Sequence, residues 1–429
     1  MLRLRYRAAA LLTAAVLCCA SYGAAAVYSD MAGRPEARVV SRWSDYGVLT
    51  GSQDRFDPDG RLTRAHLAVL LQRLLRHPTQ AENTYSDLRG DEWYARDVLC
   101  VSDLGVMQGS DGRFYPDQVM TREMAVSALA RAFYISENSD VSMFSDRTEI
   151  SLWAARDVGA MASAGYLKPY ADGTFRPKAA MTRVEFVMLI DAMFGGYFNT
   201  AGSYPTREIA SNALVNTRNT TFFYAKVAQN FYVTPGVGDS ILYLYNCTVN
   251  GTVYLSGGGD VRVMDPSELT IPDITTSTYT SMVVGVAINR IVVNAPWDMT
   301  LFTSPIARVY ETVYDGPGRS YTYGGKTELL RVQGADTSLF LRNALIMDLR
   351  VEAPGASIRG MSATVQNMTV SHPTRFDGFI NVFRATVEPG GSGAEFRQKP
   401  VLLTLRPGVS VTVDGREYSN NGTEDMIVR

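Results

Sequence analysis

The sequence predicts two folds in tandem, an all-α unit over residues 27–195 and an all-β region over residues 213–429. Three observations predict it. A motif recurs three times in register before residue 195, at a spacing of roughly 60 residues. The apolar positions inside those repeats follow helical periodicity. Beyond residue 195 that periodicity fades, and short alternating runs bounded by Gly, Pro and Asn take its place.

The first 26 residues read as an export signal. Arg3, Arg5 and Arg7 precede an apolar run from Ala8 to Ala20, and Ala24-Ala25-Ala26 offers the small-x-small pattern of a signal-peptidase site. The mature, secreted chain is expected to start near Val27. The apolar run falls short of the roughly 20 residues that cross a bilayer, so no membrane span is expected. Cys18 and Cys19 raise a lipid-anchored signal as the alternative, but the residues directly before them, Leu17 and Cys18, are not the small residue such a signal carries.

Composition narrows the classes. Outside the signal only Cys100 and Cys247 remain, in segments of opposite character, so apolar burial rather than a disulfide framework is expected to hold the fold. The formal charge of −2 becomes −5 once the three signal arginines are subtracted. That balance lacks the basic patch that nucleic acid would favour. Histidine occurs only at 66, 77 and 372, which argues against a multi-histidine metal site, and no cofactor is expected.

The repeats align closely. The first runs from Tyr28-Ser29-Asp30 through Tyr46-Gly47-Val48 to Phe56-Asp57-Pro58 and Leu62-Thr63-Arg64. The second runs from Tyr85-Ser86-Asp87 through Leu104-Gly105-Val106 to Phe114-Tyr115-Pro116 and Met120-Thr121-Arg122; the third from Phe144-Ser145-Asp146 through Ala164-Gly165-Tyr166 to Phe175-Arg176-Pro177 and Met181-Thr182-Arg183. Phe56, Phe114 and Phe175 are 58 and 61 residues apart, and so are Thr63, Thr121 and Thr182. Each unit reads as helix, turn-rich loop, helix. In the second, Val98, Val101 and Leu104 recur at helical spacing from Trp93 and Gly105 ends the helix. Asp111-Gly112 and Asp172-Gly173 supply turns, and Pro116 and Pro177 stop a helix from crossing the loop. The threonines sit where an N-cap belongs, and Thr182-Arg183-Val184-Glu185 fits a capping box. The following helices, such as Met124 to Phe133, are apolar on one face, so the three units are expected to share a core.

These motifs resemble the S-layer homology (SLH) family, whose units have this length and carry a Thr-Arg-Ala-Glu-like signature after a Gly-x-Phe-x-Pro loop. The resemblance covers residues 27–195, as repeats 27–80, 81–138 and 139–195. It implies a pseudo-threefold helical domain that binds secondary cell-wall polysaccharide, commonly bearing pyruvylated sugars, in grooves between repeats. Non-covalent anchoring at the cell wall or surface layer follows from the resemblance, with self-association in a surface layer as a further implication.

The residues themselves admit an anionic ligand. Arg64, Arg122 and Arg183 directly follow the N-caps, where a cation faces the positive helix end at a cost of roughly 0.3–1 kcal/mol. A guanidinium with free helix-start amides can grip a carboxylate, such as that of a pyruvyl ketal. The alternative is an internal ion pair with Asp30, Asp87 or Asp146. Trp93 and Trp153, each twelve residues before the central glycine, can stack on a sugar ring or pack in the core. The first repeat departs from the pattern: Pro35 replaces the tryptophan and Trp43 follows eight positions later, which predicts a shifted or altered first helix and makes its groove the least certain. The signature glutamate survives only as Glu185, with His66 and Met124 at the equivalent positions, so binding is expected to concentrate in one or two grooves. Cys100 reads as a buried small apolar residue.

Gly195-Gly196 through Pro205 reads as a linker, taken as 196–212. Strands are expected at 241–245, 252–255, 261–264, 290–293, 338–341, 349–351, 364–370 and 409–413, separated by turn signals such as Asn250-Gly251 and Pro354-Gly355. The weak rhythm of Asn-x-Thr-Val at 246–249 and 367–370, and of Ile291…Pro296 with Leu349…Pro354, predicts a β-solenoid, preferably a right-handed parallel β-helix, with a β-sandwich as the alternative. Asp260, Asp265, Glu268, Asp298 and Glu311 follow no catalytic signature, so a structural or adhesive role is expected rather than an enzyme. The competing reading is a wall-anchored polysaccharide-cleaving β-helix enzyme, which would place two carboxylates in one groove.

Overall fold

The computed structural model describes residues 28–79, 81–136, 140–205, 207–264, 287–304 and 306–428. The expected export signal at 1–26, with Cys18 and Cys19, and the acidic residues Asp265 and Glu268 lie outside the described residues. The chain divides into a helical unit ending at Ala192 and a β unit from Met193 onward that also takes in Leu75–Pro78.

Six helices build the first unit: α1 (Ala37–Asp45), α2 (Arg64–Leu75), α3 (Ala95–Asp103), α4 (Arg122–Ala132), α5 (Leu152–Ser163) and α6 (Arg183–Met193). Helices α1, α3 and α5 each end before a glycine with positive φ, at Gly47, Gly105 and Gly165, where a side chain would be strained. The shifted first helix expected from Pro35 is not found: α1 starts 58 residues before α3 and ends 58 residues before it. Proline is tolerated there because the helix begins two residues later. Trp43 is therefore no displaced groove residue; it is buried at 1% exposure and its ring N–H donates to Asp191 at 2.8 Å.

A closed ring of backbone hydrogen bonds joins the repeats. Leu62 N–H donates to the Met181 carbonyl, Met120 N–H to Leu62, and Met181 N–H to Met120, at 2.8–2.9 Å. The last repeat thus binds the first as the first binds the second, which is the pseudo-threefold arrangement expected. Phe56, Phe114 and Phe175 are buried in the core. Each is held by the aspartate that opens its own repeat: Asp30 accepts from the Phe56 and Asp57 amides, Asp87 from Phe114 and Tyr115, and Asp146 from Phe175 and Arg176, at 2.7–2.9 Å. The second residue of each pair has φ near +57°, a strained conformation that the charged acceptor stabilises.

Glu123, at the start of α4, is buried and accepts from Ser151 N–H and Oγ at 3.0 Å and from Lys178 Nζ at 2.5 Å. Burial alone would raise its pKa, but Lys178 and Ser151 hold it below the ordinary value near 4.5. Its stabilising contribution is complete above that ordinary value and is lost as pH falls through the lowered one. Glu123→Gln is expected to flatten the acid limb of the helical unit's stability curve, read as urea midpoints between pH 6 and pH 3; an unchanged limb would remove Glu123 from the account.

The β unit is a solenoid of about ten turns. Its strands pair in parallel from Phe194–Phe198 onward, and the long strands Ser320–Val332, Ser338–Val351, Ser357–Val370 and Arg375–Val387 stack in register. One ladder of inward side chains runs through eleven rungs: Phe198, Val215, Val233, Leu255, Val293, Tyr314, Val332, Val351, Val370, Val387 and Leu405. All are buried. The similar segments at Ile291…Pro296 and Leu349…Pro354 sit on equivalent rungs, and the strands expected from the sequence lie within observed ones except at 409–413, where the strand begins one residue later, at Ser410. Gly325, at φ +103°, marks a bend where a Cβ would fall 1.6 Å from the Thr303 carbonyl oxygen. The final coil is closed by antiparallel pairs, Leu402–Leu405 with Met426–Val428 and Ser410–Val413 with Arg416–Ser419.

Residues 196–212 are not an open linker. They form strands Phe194–Phe198, Gly202–Pro205, Glu208–Ile209 and the start of Asn212–Val215, paired to the next coil. The glycines that suggested a linker instead admit tight packing: a Cβ on Gly196 would lie 2.9 Å from the Phe198 ring. Cys100 and Cys247 are both buried thiols, pushed by burial up to about 11 and about 12. Neither is poised for redox chemistry.

Candidate functional site: grooves between the helical repeats

The signature arginines link one repeat to the next. Arg64 Nε donates to the Phe114 carbonyl at 2.8 Å, Arg122 Nε to Phe175 at 2.9 Å, and Arg183 Nε to Phe56 at 2.9 Å. Each guanidinium also lies over the ring of the same phenylalanine, at 4.6, 5.4 and 4.9 Å from the centroid. The same phenylalanine is therefore held at its amide by its own repeat's aspartate and at its carbonyl by the preceding repeat's arginine. These carbonyl and ring contacts take the place of the alternative of an ion pair with Asp30, Asp87 or Asp146. The helix-start amides are not free either. Arg64, Arg122 and Arg183 N–H donate to Gln118, Ala179 and Gly60, and the next amides to Pro116, Pro177 and Pro58. Any anion at these grooves must be met by guanidinium groups.

The N-caps vary by repeat. Glu185 completes the capping box, accepting from Thr182 N–H at 2.9 Å while Glu185 N–H donates to Thr182 Oγ1. In the first repeat His66 Nδ1 takes that place, 2.9 Å from Thr63 Oγ1. In the second, Thr121 Oγ1 accepts from Met124 N–H with no reciprocal partner in the Met124 side chain.

The clearest recess, about 570 Å³, lies where the Phe56 loop meets α2 and Arg183. It is lined by Arg55, Arg61, Arg73 and Arg183, by one carboxylate, Asp57, and by His66 and Trp93. Burial and the Arg183 charge hold the His66 pKa below its ordinary value. Trp93 is 64% exposed with its ring 5.7 Å from His66, and Trp153 is 50% exposed. Core packing is thus excluded for both. Trp153 lies two residues after Ser151, which is tied to the start of α4 through Glu123, as Trp93 is set against the start of α2 through His66.

The third groove is different. Arg122 is only 8% exposed, with Nη1 3.1 Å from Glu185 Oε1. Tyr170 donates to the same oxygen at 2.5 Å, its ring 4.8 Å from the Arg122 guanidinium. The sequence reading named Arg64, Arg122, Arg183, Trp93 and Trp153. Arg55, Arg61 and Arg73, which only the loop's path brings together, and Tyr170, which makes the loop hydrogen bond that Ser52 and Ser110 make in the other repeats, carry no such signal in the sequence.

A family model described as the S-layer homology domain matches residues 27–68, 84–125 and 144–187. Similar proteins include a cellulosome-anchoring protein of Acetivibrio thermocellus, 31% identical over 146 residues, covering 32% of this chain and 32% of that one. The surface-layer 125 kDa protein of Lysinibacillus sphaericus is 26% identical over 186 residues, 42% of this chain and 16% of its own. Exoglucanase XynX of Acetivibrio thermocellus is 26% identical over 170 residues, 38% and 16%. The alignments thus span a third or less of these relatives. Among the described residues no helix is long and apolar enough to cross a membrane. The chain thus carries three tandem repeats that match the S-layer homology domain, followed by a β-solenoid.

Proposed function

We propose that the helical unit anchors the protein non-covalently at the cell surface by binding an anionic wall polysaccharide, with the β-solenoid as a structural or adhesive extension. The observation that carries this is the Phe56-loop groove, which gathers four arginines, one of them Arg55 paired with Asp30 at 3.6 Å, around a single lining carboxylate, Asp57, beside an exposed indole. Guanidinium groups bind carboxylates in paired, directional hydrogen bonds, and an aromatic face covers the apolar C–H surface of a pyranose. A pyruvyl ketal supplies both features in one sugar. Arg183 and Arg64 are the cations of this reading, and Trp93 and Trp153 the stacking platforms. The names of the relatives, an anchoring protein and a surface-layer protein, support the same placement.

The test is co-sedimentation of the mature chain with Gram-positive wall sacculi before and after acid extraction of secondary polymers. Pelleting is expected to vanish on extraction; equal pelleting on both would refute the anchor. Trp93→Ala is expected to weaken pelleting roughly two- to tenfold, from about 0.5–1.5 kcal/mol of ring contact. Its unfolding midpoint should hardly move, because so exposed a side chain contributes about 0.5 kcal/mol or less to stability.

A further inference from the structure

We infer that the three grooves are unequal, and that the chain's own Glu185 occupies the anion position at Arg122, leaving glycan acid groups to bind only at Arg183 and Arg64. This rests on the anchoring reading above and adds which grooves serve it.

The pseudo-threefold symmetry makes the comparison direct. The residue three positions after each capping threonine is His66, Met124 or Glu185, and it faces the arginine of the preceding repeat. At Arg122 the facing residue is a carboxylate in contact at 3.1 Å. That is the geometry a bound acidic sugar would have to adopt there. Tyr170 closes over the pair, donating to Glu185 and covering the guanidinium with its ring, while Arg176 stacks on Tyr170 at 4.1 Å and pairs with Asp172 at 2.9 Å. The residues that make the matching loop hydrogen bond in the other repeats are Ser52 and Ser110, whose N–H groups donate to Arg55 and Arg113 as Tyr170 N–H donates to Thr174, and a serine side chain is too short to close over the arginine. At Arg183 the facing residue is His66, whose Nδ1 turns toward Thr63 and whose ring lies by Trp93. At Arg64 it is Met124, which carries no charge. Two exchanges, serine to tyrosine and His or Met to Glu, thus separate a closed groove from open ones. An acidic ligand entering at Arg122 would have to displace a carboxylate already hydrogen-bonded on three sides, by Arg122, Tyr170 and the Thr182 cap.

The exchange is testable in both directions. His66→Glu places a carboxylate opposite Arg183 and completes a Thr63-x-x-Glu capping box, so the variant should fold at least as well as the parent. Tyr170→Gly with Glu185→Gln removes the plug from Arg122 while leaving an amide oxygen for the Thr182 cap. The measurement is isothermal titration of the full mature chain with a pyruvyl-ketal methyl hexosaminide. The expected result is one bound probe fewer for His66→Glu than for the parent and one more for the double variant. If His66→Glu binds as many probes as the parent, or the double variant with native circular dichroism binds no more, the inference is wrong although anchoring stands. If the double variant does not fold, the His66→Glu count decides. A parent that binds no probe overturns the anionic-sugar reading and this inference together.

Discussion

Arg122→Ala is expected to lower the stability of the helical unit by about 2–4 kcal/mol, below the full cost of breaking a buried charge pair because the Glu185 side chain left behind is 30% exposed. Three groups lose a partner at once. The Phe175 carbonyl loses its charged donor, Glu185 keeps its charge without the facing guanidinium, and the Tyr170 ring loses the cation beneath it. Arg64→Ala breaks the equivalent carbonyl contact at a site that is only partly buried and has no facing carboxylate, so water compensates part of the loss, and about 1–2 kcal/mol is expected. Urea unfolding followed at 222 nm ranks the two variants. Equal destabilisation would mean that the arginines act only as inter-repeat ties and that the Glu185 contact adds nothing.

The second large effect lies in the solenoid. Val351 sits fully buried between Val332 and Val370 in the continuous inward ladder. Val351→Asp forces either a charged carboxylate or a protonated acid into that column without a hydrogen-bond partner, and destabilisation of more than about 4 kcal/mol is expected. Val351→Ala, which loses apolar contact alone, should cost about 2 kcal/mol. In a stacked fold each coil contacts only its neighbours. Amide exchange in Val351→Asp should therefore rise first in strands Ser320–Val332 and Ser357–Val370. A uniform rise across all coils would show the β unit to be one indivisible cooperative block.

Where the sequence was legible and where it was not follows from the range of the interactions involved. The repeats were legible because their aspartate, glycine, phenylalanine and threonine each answer a local backbone demand, and such demands recur at fixed spacing. The closed ring was implied only by family resemblance, since the Leu62, Met120 and Met181 amides that make it carry no side-chain signature. The signature arginines were found, but their helix-start amides were read as free. Those amides are taken by carbonyls 50 or more residues away, and no local pattern reports that. In the solenoid the rung spacing is mostly 17–22 residues but widens to 38 between Leu255 and Val293, so the period was hidden by the insertion. The glycines at 195 and 196 misled for a related reason: a glycine that lets the chain bend freely and one that lets two layers pack closely look the same in one dimension.

The ring that joins the last repeat to the first also bears on mechanical load. Tension drawn through residue 193 by whatever the solenoid holds reaches α6 first. A row of independent repeats would yield there one at a time, like a peeled strip. Here Arg183 and Met181 tie α6 to the first repeat, and Arg122 ties the second repeat to the third. A pull on one end must therefore shear contacts with both of its neighbours together, and the three repeats would yield as a unit at high force rather than loosen gradually at low force.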